Sequence, residues 1–305
     1  MKYIYHLIFI LFIFLNGCSK AQMYNWVKEW QQSHAKLSLN KLKLSIGEVV
    51  YLDGKDRKKS QEVILMIHGF GASKETFVPL ASEMREDYRA IIPDIPGHGE
   101  SVQSKNLTYS IQNQIEWLDE FIKKLKIMDK FHIMGNSMGG AISIRYTYLY
   151  PEKIKSLTLI DSAGAVVTKS EFYYLLVSGK NSLIVNNSQD FERLLDFSME
   201  KKPYIPGPIL EVLSEQKMAR KDLDAKIFQD MLADVDQMPI LPEIKIPTLI
   251  LWGKKDRVIH VDSAEYFHQK IEGSKKIIFE NIGHVPMLEV PKETSEVCTK
   301  FLKGI

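Results

Sequence analysis

The apolar run Phe131-His132-Ile133-Met134 leads directly into Gly135-Asn136-Ser137-Met138-Gly139, and helix-compatible residues follow at once from Gly140. Strand, sharp turn and helix in that order lift the Ser137 hydroxyl above the edge of a sheet. The flanking glycines let backbones pack where a side chain would collide. A helix start behind Ser137 also favours negative charge developing beside it. Five such residues alone recur by chance as an ordinary turn. The strand before and the helix after are what single out a nucleophile.

A free hydroxyl is nearly unreactive at neutral pH, so a nucleophilic serine needs a base and a group to orient that base. His284 stands in Asn281-Ile282-Gly283-His284-Val285-Pro286, just after the last predicted strand and close to the C-terminus. Asp256 follows the penultimate strand in Leu251-Trp252-Gly253-Lys254-Lys255-Asp256; its alternative is a surface aspartate paired with Lys254 or Arg257. Asp161, after the strand that precedes a long insertion, is the second candidate for the acid, and otherwise a loop-fixing residue. Chain order Ser, Asp, His differs from the orders used on the chymotrypsin and subtilisin folds. Acyl transfer passes through an oxyanion that needs two backbone N–H donors. Met138 supplies one, and Phe70 in His68-Gly69-Phe70-Gly71 the other, with the Phe70 ring lining a substrate pocket or else simply filling the core. Asp94 and His98 sit in a proline- and glycine-dense turn and read as structural. No ligand spacing typical of zinc or a dimetal centre occurs, so no metal is expected.

Around these residues strands and helices alternate. Apolar runs at Val63–Ile67, Ala90–Ile92, Phe131–Met134, Leu157–Ile160, Thr248–Trp252 and Lys276–Phe279 have the length and β-branched content of buried parallel strands. Ile111, Ile115, Leu118, Phe121, Ile122 and Leu125 mark one helix face. The expected class is α/β, a mostly parallel sheet with helices on both faces. Before it, Leu42–Ile46 and Val49–Leu52 read as two strands turning at Gly47-Glu48, and Lys55–Lys59 as a solvated turn. More than 80 residues separate Asp161 from Thr248 without a convincing strand. Helical patterns there, around Phe172–Val177, Phe191–Met199, Ile209–Met218 and Leu223–Leu232, predict a cap over the carboxyl edge. Phe172, Tyr173 and Phe191 are the candidate substrate-lining residues within it.

The chain begins differently. Met1-Lys2, the apolar stretch Tyr3–Leu15 and then Asn16-Gly17-Cys18-Ser19 have the order of a secretory signal peptide. The apolar core, about 13 residues, falls short of the ~20 that span a bilayer as a helix. Leu15-Asn16-Gly17-Cys18 resembles the lipobox of bacterial lipoproteins, which implies lipidation of Cys18 and attachment at the cell envelope, with Ser19 favouring the outer membrane; plain secretion, a periplasmic location or an uncleaved anchor are the alternatives. The domain reading is then a signal peptide over 1–17, a tether with some helical character over 18–41, a core over 42–161 and 245–305, and a helical cap over 162–244. Cys298 would have no intramolecular partner once Cys18 is lipidated, and reads as a small buried hydrophobe. Forty basic and 38 acidic residues leave a formal charge of +2, which gives no sign of a nucleic-acid partner. A monomer is expected.

Taken together, His68-Gly69-Phe70-Gly71, Gly135 to Ser143, Leu159-Ile160-Asp161-Ser162-Ala163-Gly164, Lys202-Pro203-Tyr204-Ile205-Pro206, Ile246-Pro247-Thr248 and Gly283-His284-Val285-Pro286-Met287 resemble the α/β-hydrolase superfamily. Within it they are similar to bacterial lipases of the cold-adapted lipase 3 type. The resemblance implies an acyl-ester or lipid substrate, a serine mechanism and no cofactor. Gly-Asn-Ser-Met-Gly-Gly is shared with hydrolases that cleave carbon–carbon bonds in aromatic ring-fission products. Those usually carry Trp directly after the catalytic His, where this chain has Val285. A non-catalytic envelope binding protein is the reading from another class.

Overall fold

The computed structural model describes residues 19–54 and 61–305. The expected signal segment, the lipidation site Cys18 and the solvated turn at Lys55–Lys59 lie outside the described residues.

Eight strands form one sheet in the order β1-β2-β4-β3-β5-β6-β7-β8. They are β1 Ser38–Leu44, β2 Gly47–Asp53, β3 Glu62–Ile67, β4 Tyr88–Pro93, β5 Phe131–Asn136, β6 Ile154–Ile160, β7 Thr248–Gly253 and β8 Lys275–Phe279. β1 and β2 pair antiparallel, β2 joins β4 antiparallel, and every later pairing is parallel. β5 and β7 are buried along their whole length, which is why they read as unbroken apolar runs. The β1–β2 turn falls at Ser45-Ile46, two residues before the expected Gly47-Glu48. The Glu120 carboxylate accounts for this: it accepts the Ser45 amide at 2.8 Å and the Ser45 hydroxyl at 2.6 Å.

The helices are α1 Lys20–His34, α2 Val78–Met84, α3 Ile111–Lys124, α4 Met138–Leu149, α5 Glu171–Val177, α6 Ser188–Ser198, α7 Gly207–Ala219, α8 Lys221–Leu232, α9 Asp262–Lys270, α10 Pro286–Glu289 and α11 Pro291–Leu302. Two apolar clusters show that both sheet faces are covered. One contains Ile115, Phe121, Ala141 and Phe267 from α3, α4 and α9; the other contains Leu80, Met84, Cys298 and Phe301 from α2 and α11. Cys298 is buried and free, and burial pushes its thiol up to about 12. Helices α5 to α8 occupy the interval between β6 and β7, each overlapping one of the expected helical patterns.

The stretch expected as a tether contains α1, and β1 begins within it at Ser38. Ser19 and Gln22 close a capping box at the start of α1. Its side chains then hold it down: Lys20 pairs with Glu211, Lys28 with Glu100, and Gln32 donates to Glu75 at 3.3 Å. No helix of the described residues is long and apolar enough to cross a membrane.

Candidate active site

β5 ends at Asn136, and Ser137 turns the chain into α4 with φ 54° and ψ −121°. A positive φ on a residue with a Cβ costs of the order of 1–3 kcal/mol, and persists only where the surroundings over-determine it. Here the Ser137 amide donates to Ile160 O at 3.1 Å, and the Ala163 amide donates to Ser137 O at 2.9 Å. Gly139 completes the turn, because a methyl there would collide with the carbonyl oxygen of Ile67. The strained serine is thus half-buried at the carboxyl edge, where β3, β5 and β6 end.

Asp256 and His284 follow the next two strands. Their loops lie side by side: the Lys255 amide donates to Ile282 O at 2.9 Å, and a methyl at Gly253 would strike the Gly283 carbonyl. His284 Nδ1 is 2.8 Å from Asp256 Oδ2, and the Asp256 side chain is fully buried. The other Asp256 oxygen accepts the amides of Val258 at 2.7 Å and Ile259 at 3.0 Å. A carboxylate so bonded holds the proton of the imidazole on Nδ1 and leaves Nε2 as the acceptor. Neither the Lys254 nor the Arg257 alternative applies: Lys254 pairs with Glu280, and Arg257 with Glu200 and Glu171.

Three further residues brace this arrangement and were not singled out from sequence. Asn136 Nδ2 donates to Ile160 O and to His284 O, both at 3.1 Å, and so ties the residue before Ser137 to the histidine loop. Buried Glu289 accepts the Gly283 amide at 2.9 Å on one oxygen, and the Glu200 and Lys201 amides at 2.8 Å on the other. Lys217 of α7 donates to the carbonyl of Gly71. Glu289 had a sequence signal, an acid inside the apolar run Met287-Leu288-Glu289-Val290-Pro291. The partners of Asn136 and Lys217, 148 and 146 residues away, had none.

The His68–Gly71 loop lies against Ser137, with Gly69 beside the Ser137 Cβ. Among the described residues the Phe70 amide has no acceptor, and the Met138 amide opens α4, where first-turn N–H groups lack intrahelical partners. Ser137, Met138 and Phe70 share the wall of an apolar cavity of about 440 Å³ with Phe172, Tyr173, Leu176, Leu183, Phe228 and Met231. Phe70 and Phe172 each stand edge-on to Phe228, at 5.5 and 6.0 Å. Phe191 does not join them. It lines a separate cavity with Lys217, Arg220 and Leu213, because α6 packs on α7.

His68, Asp94 and His98 are spent inside the fold. His68 Nδ1 bonds Gly69 O at 2.9 Å and Nε2 accepts the Ile95 amide at 3.2 Å; burial lowers its pKa to about 4. Asp94 accepts the Lys74 amide and ammonium at 2.7 and 2.8 Å and the Glu100 amide at 2.8 Å. Burial likewise holds His98 neutral, well below the usual imidazole range.

Residues 62–291 match the alpha/beta hydrolase fold family. The chain is 35% identical over 274 residues to Lipase 1 of Psychrobacter immobilis, covering 88% of this chain and 85% of that one. It is 35% identical over 283 residues to Lipase 3 of Moraxella sp. (strain TA144), covering 91% and 88%. Among solved structures, a membrane phospholipase A described as a bacterial virulence factor superposes with a TM-score of 0.91 at 34% identity, over 99% of this chain and 98% of that one.

Proposed function

The chain belongs to the α/β-hydrolase fold family and is a carboxylic-ester hydrolase of the lipase type, and on that premise we propose that it cleaves acyl esters of lipids through Ser137, His284 and Asp256. The observation that supports this most is the 2.8 Å bond between His284 Nδ1 and buried Asp256. It leaves the other imidazole nitrogen as the base at an edge where a strained serine opens onto an apolar cavity.

In the proposed cycle His284 Nε2 takes the Ser137 hydroxyl proton as Oγ attacks the ester carbonyl. The Phe70 and Met138 amides stabilise the oxyanion; one such donor is worth ~10²–10³ in rate. The C–O bond to the alcohol breaks as His284 returns the proton to it, leaving an acyl-enzyme. Water, deprotonated by the same imidazole, then releases the carboxylic acid and restores Ser137. Phe70, Phe172 and Tyr173 enclose the acyl chain.

Val285 after His284 favours esters over carbon–carbon cleavage, and the relatives named as lipases support a lipid ester. Attachment at the cell envelope through lipidated Cys18 belongs to the same proposal. Rates on esters from acetate to palmitate, dissolved and emulsified, test the substrate, with Ser137→Ala as the control. A long-chain optimum that rises on emulsions supports lipase. A short-chain optimum without that rise leaves only an esterase, and full activity in the Ser137→Ala control contradicts the mechanism. Unchanged fatty-acid labelling in Cys18→Ser contradicts the anchor.

A further inference from the structure

Asp161 stands at the carboxyl end of β6, next to β7, wholly buried and in the left-handed region with φ 45°. Its Oδ1 accepts the Gly253 amide at 2.8 Å, and its Oδ2, also buried, has no hydrogen-bond partner among the described residues. A bare carboxylate oxygen in such a place is costly. Asp161, Asp256 and His284 each offer one polar atom within 4.8 Å of the others.

Two carboxylates this close in a buried site disfavour each other's charged form, so that one of them is better kept protonated. Which one follows from their donors. Asp256 accepts two amides and faces the imidazole, all of which favour its charged form, whereas Asp161 accepts a single amide. We propose that Asp161 is a neutral carboxylic acid that donates its Oδ2 proton to Asp256, which makes it a positioning residue for the acid–imidazole pair. Burial supports this by raising the Asp161 carboxyl well above the usual carboxylate range, with the Asp256 charge as the next cause and Glu289 adding to it. Asp256, Glu289 and His284 are the titratable groups that face it. The donated bond completes the shell around Asp256 and draws off part of the charge that would otherwise raise the basicity of His284. The inference rests on Asp256 being the orienting acid.

The test uses the full chain and the variants Asp161→Leu and Asp161→Asn, with the pH profile of kcat/KM and an infrared spectrum for each. Leu removes the donor. The acid limb should then move upward by roughly half a pH unit, while kcat falls about tenfold with KM held. Asn keeps an N–H donor, tolerates the left-handed backbone and should return the limb to its wild-type position. The wild-type minus Asn difference spectrum at neutral pH should show the carbonyl stretch of a neutral carboxylic acid, whether or not the Leu variant folds. A downward shift of the limb in Asn means that a full negative charge has been removed, and overturns the proposal, as does a missing carbonyl band. If Asp256→Asn stays active while Asp161→Asn is inactive, Asp161 is itself the orienting acid, and it is the triad assignment that falls.

Discussion

The His284 amide donates to the Ser198 carbonyl at 2.7 Å, so the proposed base is bonded to the last residue of α6, in the interval between β6 and β7. Glu289 reinforces this contact, holding Gly283 with one oxygen and Glu200 and Lys201 with the other. Glu289→Ala would leave several amides without an acceptor, each at a cost of ~1–3 kcal/mol where buried. Urea unfolding should show a loss of about 3 kcal/mol, and kcat should fall more than KM changes. An unchanged unfolding midpoint would mean that the loop is held by other contacts.

Lys217 joins α7 to the carbonyl of Gly71, one residue beyond the Phe70 amide. Burial lowers its pKa to about 8. The charge-assisted bond is present below that value and weakens as pH rises through it. The wild-type profile of kcat should therefore decline above about pH 8. Lys217→Met should lack that limb and run about tenfold slower at neutral pH. Full activity in this variant, with the same basic limb, would show that the contact does not support the Phe70 loop.

His68 makes stability depend on acid. Its pKa is about 4 in the fold, against 6.5 for the ordinary imidazole, so the unfolded chain takes up the proton first. Stability is complete above about pH 6.5 and falls as pH drops toward 4, by on the order of 3 kcal/mol in total for this group. Buried His98 shifts in the same direction. Denaturation midpoints across this window should decline in wild type and less steeply in His68→Gln. Equal slopes in the two proteins would rule out His68 as the source.

Leu183 lines the apolar cavity, and Trp there removes part of its volume of about 440 Å³. Each methylene denied burial loses ~0.8 kcal/mol. In Leu183→Trp, kcat/KM for a dodecanoyl ester should drop at least about tenfold relative to a butanoyl ester. An unchanged ratio would place the acyl chain elsewhere.

Much of this was legible in the sequence because it is local. The apolar run before Ser137, the glycines around it and the loops carrying Asp256 and His284 each announce a strand end within a few residues. The β1–β2 turn falls two residues before the place its sequence predicts, since a side chain from a distant helix, Glu120, decides it. Phe191 lies away from the apolar cavity for a similar reason: an aromatic on an amphipathic helix declares burial but not which of two cavities it enters. Contacts such as Asn136 with His284 or Lys217 with Gly71 join residues that carry no pairing signal in the chain.

The proposed chemistry is tested most directly by covalent capture of the nucleophile. The protein is treated with a fluorophosphonate and digested, and the adduct is located by mass while ester hydrolysis is followed in parallel. One adduct per chain is expected on Ser137, absent in Ser137→Ala, with kcat lowered on the order of 10⁴–10⁶-fold in Ser137→Ala and His284→Ala. An adduct on another residue, or ester hydrolysis at the wild-type rate in Ser137→Ala, would contradict it.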